Sequence, residues 1–188
     1  MIRIVIFASG SGTNAENIIN YFEKSKNVQI AYIVSNNNKA GVLERASRLK
    51  VPVKVFTKKE MNSELFLNFL KVEADYLILA GFLLKIPERI ILSFPSRIIN
   101  IHPALLPKYG GKGMYGMHVH QAVVNNKEQK TGITIHLVNE NYDEGAILFQ
   151  KEVVVLKNDT ANDVAAKIHQ LEQENFPKVI EQILTKTL

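Results

Sequence analysis

The segment Arg97-Ile98-Ile99-Asn100-Ile101-His102-Pro103-Ala104-Leu105-Leu106-Pro107 decides the fold prediction. Its apolar run, alternating at Asn100 and His102, predicts a buried strand that presents both polar side chains on one face. Pro103 ends the strand, and ligands of open α/β sheets bind beyond the carboxyl ends of the strands. The two side chains are therefore candidates for a binding site, although a satisfied histidine beside a turn asparagine would produce the same pattern.

Upstream of this strand, apolar runs alternate with helical stripes. Strands are predicted at residues 2–8, 29–35, 51–56 and 75–80, and helices at residues 15–22, 40–49, 58–72 and 88–93. This order predicts an α/β fold with a mostly parallel, twisted sheet, right-handed crossovers and helices on both faces, of the Rossmann-like type. The predicted packing residues of the helix at 58–72 are Leu65, Leu67, Phe69 and Leu70.

Downstream, the pattern changes to a hairpin and a final helix. Residues 131–139 alternate and predict a strand with a semi-exposed face, residues 146–156 predict another, and Gly145 between them would supply a positive φ in an antiparallel hairpin. The last helix is expected to be capped by Asp159 or Thr160 and interrupted by Pro177. The glycine-rich residues 110–117 predict a mobile loop that can act as a lid.

Length and composition exclude several classes of protein. The 188 residues contain no linker or repeat, which predicts one domain over 1–188, and the absence of cysteine excludes disulfides and thiolate nucleophiles. The net charge is +5, but no stretch of the sequence combines clustered basic residues with aromatic ones, so no nucleic-acid partner is expected. No apolar run reaches the roughly 18 residues of a membrane span, and Met1 leads directly into a strand rather than a signal peptide. We therefore expect a cytoplasmic protein without a membrane partner.

The first predicted strand ends in Ser9-Gly10-Ser11-Gly12-Thr13-Asn14, directly before a helix. Free backbone N–H groups and the helix dipole favour an anion there, and glycine lets the backbone approach it closely. The segment matches neither the nucleoside triphosphate loop nor the dinucleotide fingerprint. It therefore predicts a phosphate monoester as ligand, with a purely structural turn as the alternative.

Asn100, His102 and Asp143 form the candidate catalytic set. A histidine can donate or accept a proton near neutral pH, a nearby carboxylate would raise its pKa, and an asparagine amide can donate to a developing oxyanion. Since no covalent nucleophile is available, this chemistry indicates acyl-type transfer by direct attack of an amine. His118 and His120 could join His102 or His136 at a metal, but no ligand spacing supports one and no metal is expected.

Three motifs resemble the folate-dependent formyltransferase family: Asn100-Ile101-His102-Pro103-Ala104-Leu105-Leu106-Pro107, Ala80-Gly81-Phe82 and Asp143-Glu144-Gly145. Within that family, residues 9–14 and Glu172 resemble the members that formylate phosphoribosylglycinamide. The resemblance implies transfer of the formyl group of 10-formyltetrahydrofolate, a co-substrate, to the amine of 5-phosphoribosylglycinamide in purine biosynthesis. It implies small-molecule partners, a monomer or homodimer, a phosphate- or nucleotide-binding half at 1–100 and a catalytic and folate-binding half at 101–188.

The resemblance also assigns roles by position. Asn100 would hydrogen-bond the formyl oxygen, His102 would be the protonated electrophile and proton donor, and Asp143 would keep it cationic. The implied substrate-binding residues are Gly10, Ser11, Gly12, Thr13, Asn14, His169, Gln170, Leu171 and Glu172. The implied folate-binding residues are Lys58, Leu83, Leu84, Lys85, Ile86, Asn100, Asn139, Glu140, Asn141, Tyr142 and Asp143.

Three alternatives remain open. The first is another folate-dependent formyltransferase, acting on methionyl-tRNA or a sugar nucleotide; the tRNA enzyme would need a further carboxyl-terminal domain and a basic surface. The second is a hydrolase of formyltetrahydrofolate, which would release formate without an amine. The third is a non-catalytic module that binds a phosphate ligand.

Overall fold

The computed structural model describes residues 1–185. The strands in this range are β1 (Ile2–Phe7), β2 (Val28–Ser35), β3 (Val53–Val55), β4 (Tyr76–Leu79), β5 (Ile98–His102), β6 (Lys130–Leu137) and β7 (Ile147–Val154). The helices are α1 (Thr13–Phe22), α2 (Gly41–Arg48), α3 (Lys58–Met61), α4 (Glu64–Glu73), α5 (Glu88–Ser93), α6 (Met117–Asn125) and α7 (Ala161–Thr185). No helix in the described range is long and apolar enough to cross a membrane.

The fold is α/β with a seven-stranded, mostly parallel sheet, as predicted. β1 pairs in parallel with β2 and β4, and β2 with β3. β6 and β7 form the predicted antiparallel hairpin. The chain divides into two compact units, Met1–Ile99 and Asn100–Leu188. The functions assigned above to the two halves stay predictions.

In the first unit, the predicted helix at 58–72 is two helices. Ser63 begins the second, because its hydroxyl accepts a hydrogen bond from the Phe66 N–H at 3.2 Å and caps α4. A helix that starts at Glu64 buries Phe66, Leu67 and Leu70. The prediction that Leu65 packs was therefore wrong, since this side chain is 83% exposed.

The second unit corrects the prediction of a semi-exposed face on β6. Residues 131–136 are buried, because α7 packs against this strand and residues 104–106 contact it from the segment after β5. Pro177 does not interrupt α7, which continues through it. Buried side chains lie on both sides of Pro177, at Ile168 and Ile180 among others, so packing holds the helix together. Thr160 caps this helix: its hydroxyl accepts from Asp163 N while Asp163 Oδ2 accepts from Thr160 N.

The hairpin turn also differs from the prediction at Gly145. This glycine has no positive φ; Asp143 does, at 56°. Glycine is needed at position 145 because a Cβ there would collide with the backbone oxygen of Leu137. The turn therefore needs a glycine at position 145 for a close backbone approach. The residue with the left-handed conformation is Asp143, which carries the candidate catalytic carboxylate.

Thr134 holds the segment that follows β5. Its hydroxyl donates to the Ala104 carbonyl at 2.6 Å and accepts from the Leu106 N–H at 3.0 Å. Gln150 Nε2 donates to the same hydroxyl at 2.9 Å and to the Leu106 carbonyl at 3.0 Å. These buried groups are thus paired through one side chain, which fixes the chain immediately beyond His102.

We expect Thr134→Val to lower the free energy of unfolding by about 2–4 kcal/mol, because it leaves the Leu106 N–H and the Ala104 carbonyl without this partner. Urea denaturation followed by circular dichroism measures the change. Thr134→Ser keeps the hydroxyl and should cost about 1 kcal/mol or less, the value of one methyl group. Equal stabilities of the two variants would contradict this role of the hydroxyl.

Candidate active site

The end of β5 brings Asn100 and His102 to one cluster with Asp143, all within the second unit. Nδ1 of the buried His102 lies 3.6 Å from Asp143 Oδ2. The other carboxylate oxygen of Asp143 lies 3.6 Å from Nε2 of His136, which in turn is 3.0 Å from the Asn100 amide nitrogen. The structure therefore brings the three predicted catalytic residues into one cluster, together with a fourth residue, His136.

His136 fixes the orientation of the Asn100 amide. Its Nδ1 lies 2.8 Å from the Leu137 carbonyl, which can only accept, so Nδ1 carries the proton. In the neutral ring Nε2 is then an acceptor, and the Asn100 NH2 group donates to it. One N–H of that amide remains for a ligand. The sequence analysis considered His136 only as a metal ligand, because its alternating strand context carries no catalytic signal.

His102 is held at both ring nitrogens. Nε2 lies 2.7 Å from the backbone carbonyl of Tyr109, and Nδ1 faces Asp143. Burial lowers the pKa of His102 below its ordinary value, although the Asp143 charge and the Tyr109 carbonyl oppose the shift. The predicted imidazolium stays a prediction. Desolvation disfavours it, but the Tyr109 carbonyl and the Asp143 carboxylate at the two ring nitrogens can only accept hydrogen bonds, which suits a ring with both nitrogens protonated.

Asp143 remains ionised in this setting. Burial would raise its pKa, but the His136 ring, the charge of His102 and the Gly111 N–H lower the pKa below its usual value. The Gly111 N–H donates to Asp143 Oδ2 at 2.9 Å, so the glycine-rich segment contacts the carboxylate directly. A histidine held between a carbonyl and an ionised carboxylate can donate a proton to a substrate, and the carboxylate stabilises its imidazolium form.

The predicted phosphate loop lies in the first unit. Gly12, at φ 80°, precedes α1, and its carbonyl accepts from the Glu16 N–H at 2.9 Å. Gly10 and Ser11 are exposed, and Thr13 and Asn14 begin the helix. The loop thus has the geometry of a helix amino terminus with accessible backbone.

Ser9 was missed as a site residue, although it connects the loop to the predicted folate segment. Its hydroxyl accepts from the Leu83 N–H at 3.0 Å and donates to Asn36 Oδ1 at 2.6 Å. Ser9 is buried, whereas Leu83 is half exposed, at 50%. A small hydroxyl residue beside a glycine loop was visible in the sequence, but its partner Leu83 is distant in the chain.

The remaining predicted folate residues lie at exposed or partly exposed positions, apart from the buried Ile86. Lys58 is the first residue of α3 and is exposed. In the turn after β6, the Asn141 N–H donates to Asn139 Oδ1 at 3.0 Å, and Tyr142 is 41% exposed. Glu140 is exposed, and Leu84 and Lys85 lie in the segment between β4 and α5. The turn carries Asp143 at its end.

On α7, Glu172 is the predicted substrate residue that faces the cluster. Its carboxylate is 3.8 Å from Nδ1 of His169 and raises the pKa of that histidine. Its charge also acts on His102 and on the buried His120. The two residues before Glu172 have other surroundings. Leu171 packs in the core, and Gln170 is exposed and donates to Glu174 at 2.8 Å. Across residues 1–185 no three His, Cys, Asp or Glu side chains are placed to hold a metal ion.

The chain is similar to known proteins over nearly its whole length. Residues 2–180 match the family model described as formyl transferase. The chain is 39% identical over 189 residues to an Arabidopsis thaliana protein named phosphoribosylglycinamide formyltransferase, chloroplastic, covering 96% of this chain. It is 31% identical over 191 residues to the phosphoribosylglycinamide formyltransferase of Bacillus subtilis, covering 98% of this chain and 95% of that one.

Solved structures give the same result. The crystal structure of phosphoribosylglycinamide formyltransferase from Anaplasma phagocytophilum aligns with a TM-score of 0.90 at 30% identity, covering 98% of this chain and 87% of that one. The chain spans 65% of the length of the Arabidopsis protein and 60% of its Vigna unguiculata counterpart.

Proposed function

The chain belongs to the formyl transferase family, and on that premise we propose that it transfers the formyl group of 10-formyltetrahydrofolate to the amine of 5-phosphoribosylglycinamide. The names of the Arabidopsis and Bacillus relatives support this acceptor and a place in purine biosynthesis. The observation that carries the proposal is the convergence of Asn100, His102 and Asp143, with Nδ1 of the histidine 3.6 Å from the carboxylate.

The transfer proceeds by direct attack. The amine nitrogen adds to the formyl carbon, and the negative charge moves to the formyl oxygen, where the remaining N–H of Asn100 stabilises it. The His102 imidazolium, which Asp143 stabilises, also donates a hydrogen bond to that oxygen, and the proton that the amine loses passes to the Asp143 carboxylate. Collapse of the tetrahedral intermediate breaks the bond to the folate nitrogen, which takes a proton from His102, and Asp143 then returns its proton to the imidazole. The products are formyl-phosphoribosylglycinamide and tetrahydrofolate.

The proposal also assigns binding residues to each of the two substrates. The loop at residues 10–14 binds the phosphate, which its backbone N–H groups and the α1 dipole favour. Residues 169–172, chiefly Glu172, contact the ribose or glycinamide part. Lys58, residues 83–86 and residues 139–143 contact the folate. Acid–base assistance by His102 supplies about 10²- to 10⁴-fold in rate, and alignment of the two substrates supplies more.

The decisive experiment mixes the purified protein with 10-formyltetrahydrofolate and phosphoribosylglycinamide and follows tetrahydrofolate formation. We expect turnover only when the amine is present. Formate release without the amine would identify a hydrolase instead. Phosphate-dependent binding without turnover, unchanged in His102→Ala, would identify a non-catalytic binding module.

Replacement of His136 tests the orientation of Asn100. We expect His136→Phe to lower kcat by about tenfold to a hundredfold, because the Asn100 amide loses the acceptor that directs its N–H groups. Steady-state kinetics and circular dichroism measure the effect on turnover and on folding. Val138→Ala, a change just beyond the end of β6, should leave kcat unchanged. Wild-type turnover in His136→Phe would show that Asn100 is oriented without it.

We further propose that the protein acts in the cytoplasm, as a monomer or homodimer, and has no nucleic-acid partner and no metal. The modest net charge of +5 and the absence of a basic block support a small-molecule enzyme. Size-exclusion chromatography with light scattering measures the oligomeric state.

A further inference from the structure

Three consecutive carbonyls of the phosphate loop, residues 10–14, accept hydrogen bonds from the helices beside it. The carbonyls of Gly10 and Gly12 accept from backbone N–H groups of α2 and α1, at 3.2 and 2.9 Å. The Ser11 carbonyl between them accepts from a side chain, Nε of Arg45 on α2, at 2.9 Å. The orientation of the middle carbonyl therefore depends on a group that a substitution can remove.

The direction of the Ser11 carbonyl fixes the direction of the next N–H group. A trans peptide unit is planar, so its C=O and N–H groups point in opposite directions, and the peptide bonds of this loop are trans. A Cβ on Gly41, the first residue of α2, would lie 3.2 Å from the Ser11 oxygen, so this carbonyl packs closely against α2. The contact with Arg45 therefore turns the Gly12 N–H to the opposite side of the loop. There it is one of the backbone N–H groups that the start of α1 offers to a phosphate.

Glu16 on α1 holds the guanidinium of Arg45 in place. Nη1 of Arg45 donates to Glu16 Oε2, and Nη2 of Arg48 donates to the other carboxylate oxygen. Burial would raise the pKa of Glu16, but the two arginines lower it below its ordinary value, so the carboxylate is ionised at neutral pH. A guanidinium is a rigid planar fork, so an ion pair at Nη1 also fixes the direction of the Nε–H.

We propose that Arg45 is a positioning residue for the phosphate loop: fixed by Glu16, it holds the Ser11 carbonyl toward α2 and thereby directs the Gly12 N–H at the substrate's phosphate. This inference rests on the proposed function, because the orientation of the loop affects turnover only if the loop binds the phosphate of phosphoribosylglycinamide. With its charge paired with Glu16, Arg45 acts through this peptide unit rather than by direct contact with the phosphate.

The first test compares Arg45→Met with its matched control, Arg48→Met. Each variant removes one arginine from the same carboxylate, but in the described part of the chain Arg48 donates to Glu16 and to no atom of the loop. We expect Arg45→Met to raise KM for phosphoribosylglycinamide about tenfold or more, with kcat and the KM for 10-formyltetrahydrofolate within about twofold of the wild type. Arg48→Met should keep all three values within about twofold. Equal effects of the two variants would overturn the inference, because charge rather than the carbonyl contact would then be responsible.

Glu16→Gln tests the ion pair through the sign of its effect. Glutamine keeps the shape of the side chain and the backbone N–H that binds the Gly12 carbonyl, but it removes the charge that fixes Arg45. By electrostatics alone, loss of a negative charge in the first turn of α1 would strengthen the binding of a phosphate. The positioning role predicts the opposite, a rise in KM for phosphoribosylglycinamide of about threefold to fivefold. The double variant with Arg45→Met should rise no further than Arg45→Met alone, because both changes release the same carbonyl. An unchanged or lowered KM in Glu16→Gln would contradict the inference.

A binding measurement separates this inference from the proposed function. Calorimetric titration with ribose 5-phosphate requires no formyl transfer, and urea denaturation establishes that each variant is folded. We expect the affinity for ribose 5-phosphate to fall about tenfold in Arg45→Met and to stay within about twofold of the wild type in Arg48→Met. Unchanged affinity in folded Arg45→Met would overturn the role of Arg45. If the wild type binds ribose 5-phosphate but forms no tetrahydrofolate, the proposed function fails, while the comparison of the two variants still decides what Arg45 does.

Discussion

We expect Asp143→Asn to lower kcat for formyl transfer by about 10²- to 10⁴-fold. Asparagine has the same shape, and its amide oxygen can still accept the Gly111 N–H that now donates to Asp143 at 2.9 Å. What it lacks is the negative charge that keeps His102 cationic and takes up the amine's proton. Steady-state kinetics measure the loss of turnover, and calorimetric titration with phosphoribosylglycinamide should show nearly unchanged binding.

The pH dependence of this variant has a definite direction. Turnover requires a protonated His102, so kcat falls as the pH rises through the pKa of this histidine. The Asp143 charge raises that pKa, so its removal should move the alkaline limb to lower pH while the plateau falls. Asp159→Asn, which removes a carboxylate paired with Lys167, is the control and should keep wild-type kcat. Wild-type turnover in Asp143→Asn would rule out the proposed role of the carboxylate.

The second large effect is expected at the glycine loop. Gly12→Ala should lower the free energy of unfolding by about 2–4 kcal/mol. A residue with a side chain is strained in the left-handed conformation, and the added methyl group overpacks the loop. The φ of Gly12 is 80°, and a Cβ there would lie 2.5 Å from the Cβ of Val42 and 2.6 Å from its backbone Cα. The loop must then shift, so its backbone N–H groups no longer point at the phosphate. We expect KM for phosphoribosylglycinamide to rise by about tenfold or more.

Gly10→Ala is the matched control for the stability measurement. A Cβ on Gly10 would have no atom within 4 Å, and its φ is not positive. We expect its free energy of unfolding to stay within about 0.5 kcal/mol of the wild type, as for an ordinary surface substitution. Urea denaturation compares the two variants directly. Equal stabilities would mean that the loop tolerates a side chain at position 12, against the geometry described above.

Much of the fold was predictable because its signals are local. The apolar runs and the alternation at Asn100 and His102 identified the strands, and the helix α5 was predicted with its observed bounds at Glu88–Ser93. Errors arose where another part of the chain decides the outcome. Leu65 and Phe66 exchange roles because a serine cap sets where α4 begins, and Pro177 stays inside α7 because packing on both sides holds the helix.

The candidate site divides in the same way. The sequence by itself determined the residue types, the shared face of Asn100 and His102, and the glycine loop before α1, since strand period and turn chemistry depend on near neighbours. Only the tertiary structure decided that His102 is buried between a carbonyl and a carboxylate, and that His136 orients Asn100. The physical reason is that burial and hydrogen-bond partners, which set protonation and tautomer, come from residues brought together by folding rather than by order in the chain.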